Sequence, residues 1–141
     1  MVYNTTRTDP NIDAEINLLV GKPFGLWHKI KNGRIGSEPF IIQQASPSFA
    51  INLDCNAYER KCNMELRPSG IIVHFKKKYT SFMWPIPFHH LTIYSAASVI
   101  SIYQHTDFLK LAPHIPTKNS SPFLKKLLKS KTLHSHHYTF Q

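Results

Sequence analysis

Residues 63–94, NMELRPSGIIVHFKKKYTSFMWPIPFHHLTIY, decide the fold. Met64 and Leu66 alternate with Glu65 and Arg67, and a period of two puts the apolar pair on one strand face and the charged pair on the other. Pro68-Ser69-Gly70 breaks the pattern. Proline fixes φ and glycine accepts a positive φ, so this triplet predicts a tight turn. Ile71, Val73 and Phe75 then share a face, with His74 and Lys76 pointing away, which makes a hairpin the economical reading. Lys77-Lys78 carry the chain outward, and Tyr79 to Trp84 returns as an aromatic-rich strand. Pro85 and Pro87 cannot donate to a ladder and mark an edge, a bend or a bulge. Phe88 to Tyr94 reads as a resumed strand, with Leu91 and Ile93 on one face and His90, Thr92 and Tyr94 on the other. Adjacent His89 and His90 would then point to opposite faces.

Working outward, Asp9-Pro10-Asn11-Ile12-Asp13 has the form of a helix start: Asp9 as N-cap, proline at the first position, Asp13 in the first turn. Ile12, Ile16, Leu19 and Val20 recur at helical spacing, and Gly21 is a natural stop. That stripe belongs on the sheet. Pro23–Lys31 is a candidate first strand, followed by the turn dipeptide Asn32-Gly33. Pro39–Gln43 and Phe49–Leu53 are further candidates, with Ser46-Pro47-Ser48 as the turn between them. Val99–Gln104 is a strand, and His105-Thr106-Asp107 turns it into Phe108–Leu111, a closing hairpin. A helix over Thr106–Leu111 is the alternative. Pro113 to Pro116 ends the sheet. Ser120-Ser121-Pro122 starts a helix in which Phe123, Leu124, Leu127 and Leu128 oppose Lys125, Lys126 and Lys129, and the tail after Leu133 is polar and frayed.

The expected class is therefore mainly β with flanking α: a strongly bent antiparallel sheet or small barrel, a short N-terminal helix, and a C-terminal helix plugging one open end. Residues 1–22 form the N-terminal segment, 23–133 the single β domain with its helix, and 134–141 a polar, His-containing tail. A chain of 141 residues fits one domain and buries enough surface to need no metal or disulfide staple. No apolar run approaches the length of a membrane span, and no secretory signal is visible. Cys55 and Cys62 lie seven apart, unlike a metal or redox CxxC, and read as free thiols of a reducing cytoplasm, with a hairpin-crossing disulfide as the other option.

The net charge of +9 is lopsided. Residues 1–70 carry eight Lys/Arg and seven Asp/Glu, a net of +1; residues 71–141 carry nine and one, a net of +8. Such a field attracts an acidic protein, an anionic ligand or nucleic acid. Lys76-Lys77-Lys78-Tyr79, with Phe82 and Trp84, sets cations beside rings, the chemistry of single-strand binders. The plainer reading buries the rings and leaves the lysines to guard a sheet edge.

Catalysis needs a nucleophile with an oriented base, paired carboxylates or a metal. The acids are few and scattered, no GxSxG occurs, and Gly33-Arg34-Ile35-Gly36 lacks the spacing and lysine of a phosphate loop. The nine histidines include His134-Ser135-His136-His137, in a tail with no rigid frame for metal. The expectation is a non-enzymatic protein with no cofactor and no metal, able to oligomerise through an exposed sheet edge.

The strand order, the hairpin around Arg67-Pro68-Ser69-Gly70, Trp84 leading into Leu91-Thr92-Ile93-Tyr94, and a last hairpin before a helix together resemble a bacterial pleckstrin-homology-like (PH-like) domain over Pro23–Leu133. Unlike the helix of the eukaryotic members, this one carries no tryptophan. The resemblance implies a small PH-like barrel acting as a binding or scaffolding module. The eukaryotic phosphoinositide site uses basic residues of the first hairpin loop, and Lys29, Lys31 and Arg34 lie near such a loop. The expected binding residues are thus Lys29, Lys31, Arg34, Lys76, Lys77 and Lys78, with nucleic-acid binding by the basic second half as the alternative.

Overall fold

In the computed structural model, residues 2–25, 35–51, 53–54, 56–96, 98–113 and 122–139 are described, with backbone alone at 57–58, 122 and 134–139. Among the described residues eight strands lie in one antiparallel sheet: β1 (Tyr3–Asn4), β2 (Phe40–Ala45), β3 (Lys61–Arg67), β4 (Gly70–Lys77), β5 (Thr80–Pro87), β6 (Thr92–Ala96), β7 (Val99–Gln104) and β8 (Asp107–Pro113). Their order is β1-β5-β4-β3-β2-β8-β7-β6. Helix α1 (Pro10–Val20) falls between β1 and β2 in the chain, and α2 (Pro122–Thr139) follows β8. Neither is long and apolar enough to cross a membrane.

The expected meander is present. Met64, Val73 and Trp84 stand in register across β3, β4 and β5, as do Leu66, Ile71 and Ile86. All six are buried in one core with Phe40 and Ile42 of β2, Ile100 and Ile102 of β7, and Leu109 and Leu111 of β8. Strand β2 joins the two meanders, pairing with β3 at Phe40–Ile41 and with β8 along its length. Its register shifts between Ile42 and Gln44, a bulge that bends the strand. The Arg60 guanidinium donates to the Ile42 carbonyl at 2.8 Å, satisfying a group at that irregularity.

A second hydrogen bond measures the bend. Trp84 Nε1 donates to Gln104 Oε1 at 2.9 Å, both side chains being buried. Strands β5 and β7 are five places apart in the sheet, roughly 24 Å if it were flat at about 4.8 Å per strand. The sheet therefore curls until its inner face meets itself. Among the described residues β6 pairs with neither β5 nor β1, so the hydrogen bonding stays open rather than closing into a barrel. Phe123, Leu124 and Leu127 of α2 are buried in the same core, while Leu128 is half exposed; the helix covers the curled face as its stripe predicts.

Helix α1 lies on the opposite, outer face. Asp9 caps it, its carboxylate accepting from the Asn11 N–H at 2.9 Å. Ile16 and Val20 bury against Tyr3 and Ile72. Arg67, which alternation assigns to the surface, is consequently buried beneath the helix end. Its guanidinium donates to Asn17 Oδ1 at 3.0 Å and to the Gly21 carbonyl at 2.9 Å, and pairs with Glu65.

Several expectations are corrected. The described residues of Phe49–Leu53 form no strand: Pro47–Phe49 is a 3-10 turn ending at Ala50 in the left-handed region. Pro47 lacks a donor, the Ser46 N–H donates to the Phe108 carbonyl while its Oγ accepts from the Phe108 N–H, and Phe49 turns edge-on into Phe75 and Trp84. Phe88–His90 is another 3-10 turn, anchored by Phe88 N–H on the Ser69 carbonyl at 2.9 Å, so the last strand of the stretch begins only at Thr92. Tyr79 belongs to the β4–β5 turn rather than to β5. Past Leu133, where a frayed tail is expected, the backbone of α2 continues as helix to Thr139. Gly70 does not have a positive φ. It is required because a Cβ there would come within 2.3 Å of the Ile86 carbonyl oxygen and 2.9 Å of Pro87 Cα. Most of the candidate strand Pro23–Lys31, with its Asn32-Gly33 turn, lies outside the described residues. Pro85 and Pro87 do sit on an edge: among the described residues β1 pairs with β5 only at Met83 and Phe82, leaving that flank of both prolines unpaired.

Candidate functional site

The hairpin centre sets the site's outer row. Arg67 faces Gly70, Glu65 faces Ile72 and Asn63 faces His74, so the same register carries Lys61 toward Lys76. Lys76 in turn faces Ser81 on β5. Three strands thus present Lys61, Asn63, His74, Lys76 and Ser81 on the face that the core does not use. Around them lies a cleft of about 680 Å³, lined also by Thr5, Asn56, Glu59, Lys78 and the edges of Phe75 and Phe82. A smaller recess of about 280 Å³ shares Glu59, Lys76 and Lys78 with it.

The three hairpin lysines are not equivalent. Lys77 Nζ donates to the Phe49 carbonyl at 3.0 Å and lies 4.7 Å from the centre of the Phe82 ring. It holds the 3-10 turn and is structural. Lys76 and Lys78 are exposed and line both recesses. Lys78 sits at φ 55°, the left-handed position that lets the two-residue turn close. Lys29, Lys31 and Arg34 lie outside the described residues.

His74 Nε2 is 2.9 Å from Glu65 Oε1, and Glu65 is also held by Arg67. Burial pushes the Glu65 carboxyl up, but hydrogen bonds and charge from His74 and Arg67 outweigh it, and the net shift is downward. An anionic Glu65 therefore links the cleft wall to the end of α1.

The aromatic side of the proposed stacking surface is mostly unavailable. Trp84 is fully buried and Phe82 stacks on Phe75 at 5.5 Å, whereas Tyr79 stands 95% exposed next to Lys78. His89 and His90 do not diverge as in a strand: the turn brings their rings to 4.1 Å, with His105 4.8 Å from His90. Burial, then the charges of His89 and His105, lower the His90 pKa. Among the described residues no group of three or more His, Cys, Asp or Glu is arranged to hold a metal. Cys62 is a free, buried thiol whose pKa burial pushes up to about 12, which leaves it protonated and unreactive. Cys55 and the side chains of His134, His136 and His137 lie outside the description.

Sequence reasoning named Lys76 and Lys78 but missed Lys61, Asn63, His74 and Ser81 as their neighbours. The signal was present: once the turn is centred on Pro68-Ser69, residues whose numbers sum to 137 face each other, and the row follows. No family model, no curated protein and no solved structure matches the chain.

Proposed function

We propose that this chain is a non-enzymatic binding module of PH-like type, and that its ligand is anionic and binds at the cleft under the β4–β5 hairpin. The observation that carries the reading is the pair of exposed lysines, Lys76 and Lys78, flanking a Lys77 that is held elsewhere, at a recess of about 680 Å³. Like charges set together on a sheet repel, and a bound anion relieves that cost. The PH-like part rests on strand order: a four-strand meander, β2–β5, meets a three-strand meander, β6–β8, along the β2–β8 pairing, and a C-terminal helix lies over the curled inner face. The non-enzymatic part rests on a thiol held protonated and on a wall residue, His74, that is already partnered by Glu65 beside the cleft.

The test is an amide-shift titration with pyrophosphate, repeated with a Lys76→Ala/Lys78→Gly double variant that spares Lys77. Shifts confined to β3, β4, the β4–β5 turn and the cleft residues Thr5, Asn56, Glu59, Ser81 and Phe82, and lost in the variant, are expected. Shifts elsewhere, or an equal response from the variant, would refute the site. The nucleic-acid reading keeps Tyr79 beside Lys78 but loses Trp84 as a stacking ring. A single-stranded oligothymidine that binds more tightly than pyrophosphate, with affinity falling steeply as salt rises, would favour it.

A further inference from the structure

We infer that β6 is a self-association edge, at which a second copy of this chain adds its own β6 antiparallel across a twofold axis through Tyr94. The observations are independent of the basic cleft. An open sheet has two edges, and this one treats them differently. At one, β1 is only two residues long and the rest of β5 carries Pro85 and Pro87. Short strands and prolines are how a sheet edge is kept from pairing with another chain. At the other, β6 pairs among the described residues with β7 alone, and its sequence Thr92-Ile93-Tyr94-Ser95-Ala96 has no proline and no charge. All of its residues except Ile93 are exposed.

Charge favours a second copy at that edge. The chain carries +9, so most pairs of surfaces on two copies repel. Between Lys78 and Asp107 there is no Lys, Arg, Asp or Glu, and β6 lies in the middle of that run. In the row through Tyr94 the first charged residue is Lys110, two strands inward through Ser101. Two β6 edges thus meet where self-repulsion is weakest.

The side chains suit a twofold. Tyr94 is 62% exposed and meets Tyr103 edge-on at 5.9 Å; Tyr103 lies 5.7 Å from Phe108. This aromatic strip runs across β8, β7 and β6 on the outer face and stops at the open edge. With the axis at Tyr94, Thr92 faces the second copy's position 96, Ile93 its position 95, and the two tyrosines face each other at about 5 Å between Cβ atoms. The strip then continues from one copy into the next. A five-residue pairing with two tyrosines buries less than the roughly 1,200 Å² of a standard interface, so a weak, concentration-dependent dimer is expected.

Sedimentation of the full chain across concentration, with Tyr94→Lys and Tyr94→Glu variants, tests this. The parent should pass from monomer to dimer as concentration rises. Each variant alone should stay monomeric, because like charges face across the axis. An equimolar mixture of the two should dimerise again, which only a pairing near the axis can produce. Amide exchange at Thr92–Ala96 in the parent should slow as concentration rises, a readout that needs no variant. A parent monomeric up to about 1 mM, where even the weakest specific pairings populate, overturns the inference. So do variants that dimerise alone, a mixture that does not associate, or exchange independent of concentration.

Discussion

Replacing Gln104 by leucine removes the acceptor of the Trp84 indole while nearly preserving side-chain volume. The N–H stays at a side chain that is fully buried, 2.9 Å from where the oxygen was. An orphaned buried donor costs about 1–3 kcal/mol, while the net value of an ordinary intramolecular bond is nearer 1 kcal/mol. The leucine regains part of that through apolar burial, so about 1–2 kcal/mol of net destabilisation is expected, against the 5–15 kcal/mol typical of a domain. With a urea slope of about 2 kcal/mol per molar, the midpoint should fall by about 0.5–1 M. The assay is urea unfolding followed by circular dichroism, completed as a cycle with Trp84→Phe. In the Trp84→Phe background the Gln104 change should cost far less, because no donor is left unpaired, giving a coupling of about 1 kcal/mol or more. Additivity of the two changes within about 0.5 kcal/mol would refute the reasoning, since residues roughly 24 Å apart on a flat sheet would behave that way.

Gly70→Ala should destabilise by about 3 kcal/mol or more, because its Cβ meets backbone at 2.3 Å; Gly36→Ala, with the nearest atom at 4.0 Å, should be near neutral in the same thermal melts. Leu127→Ala should cost about 2–5 kcal/mol and Leu128→Ala well under 1 kcal/mol, since only the first is buried under the sheet. In a Cys55→Ser background, iodoacetamide at pH 8 should label Cys62 only on unfolding, its thiol being held near pKa 12; rapid labelling of the native protein would contradict its burial. The Glu65 carboxyl is lowered in the folded protein, so its contribution is present above the ordinary carboxylate pKa and is lost as pH falls through the folded value. The stability gap between the parent and Glu65→Gln, measured by urea unfolding, should therefore be full at pH 7 and shrink as acid is added. A gap unchanged down to pH 2 would remove that coupling.

Local alternation carried the meander because each strand from Met64 to Trp84 has one apolar face, and a slip of one residue would expose all of it. The helices were legible for the same reason: Asp9-Pro10 and the Ile16–Val20 stripe, then Phe123, Leu124 and Leu127, are periodic and capped signals. The failures fall where a short apolar run is held by something distant in the chain. Phe49 and Phe88 look like strand residues, yet Ser46 is bound to Phe108 and Phe88 to Ser69, and those bonds decide the backbone.

The outer face shows the same limit from the functional side. Alternation correctly turned Glu65, Arg67, His74 and Lys76 away from the core, but could not say what waited there. A helix beginning at Pro10 covers one end of that face, so Arg67 is buried and anchors Gly21 and Asn17. The other end stays open, so Lys76 faces a cleft. Residues that are chemically alike and share one face thus divide into a buried anchor and a cleft-lining side chain according to a segment some fifty residues upstream. Lys76 and Lys77 divide the same way within a single dipeptide. Their side chains leave opposite faces of β4, and only the inner one finds the Phe49 carbonyl. A basic run in a strand is therefore two sets of charges, and a substitution that removes the whole run mixes a change at the cleft with a loss of fold.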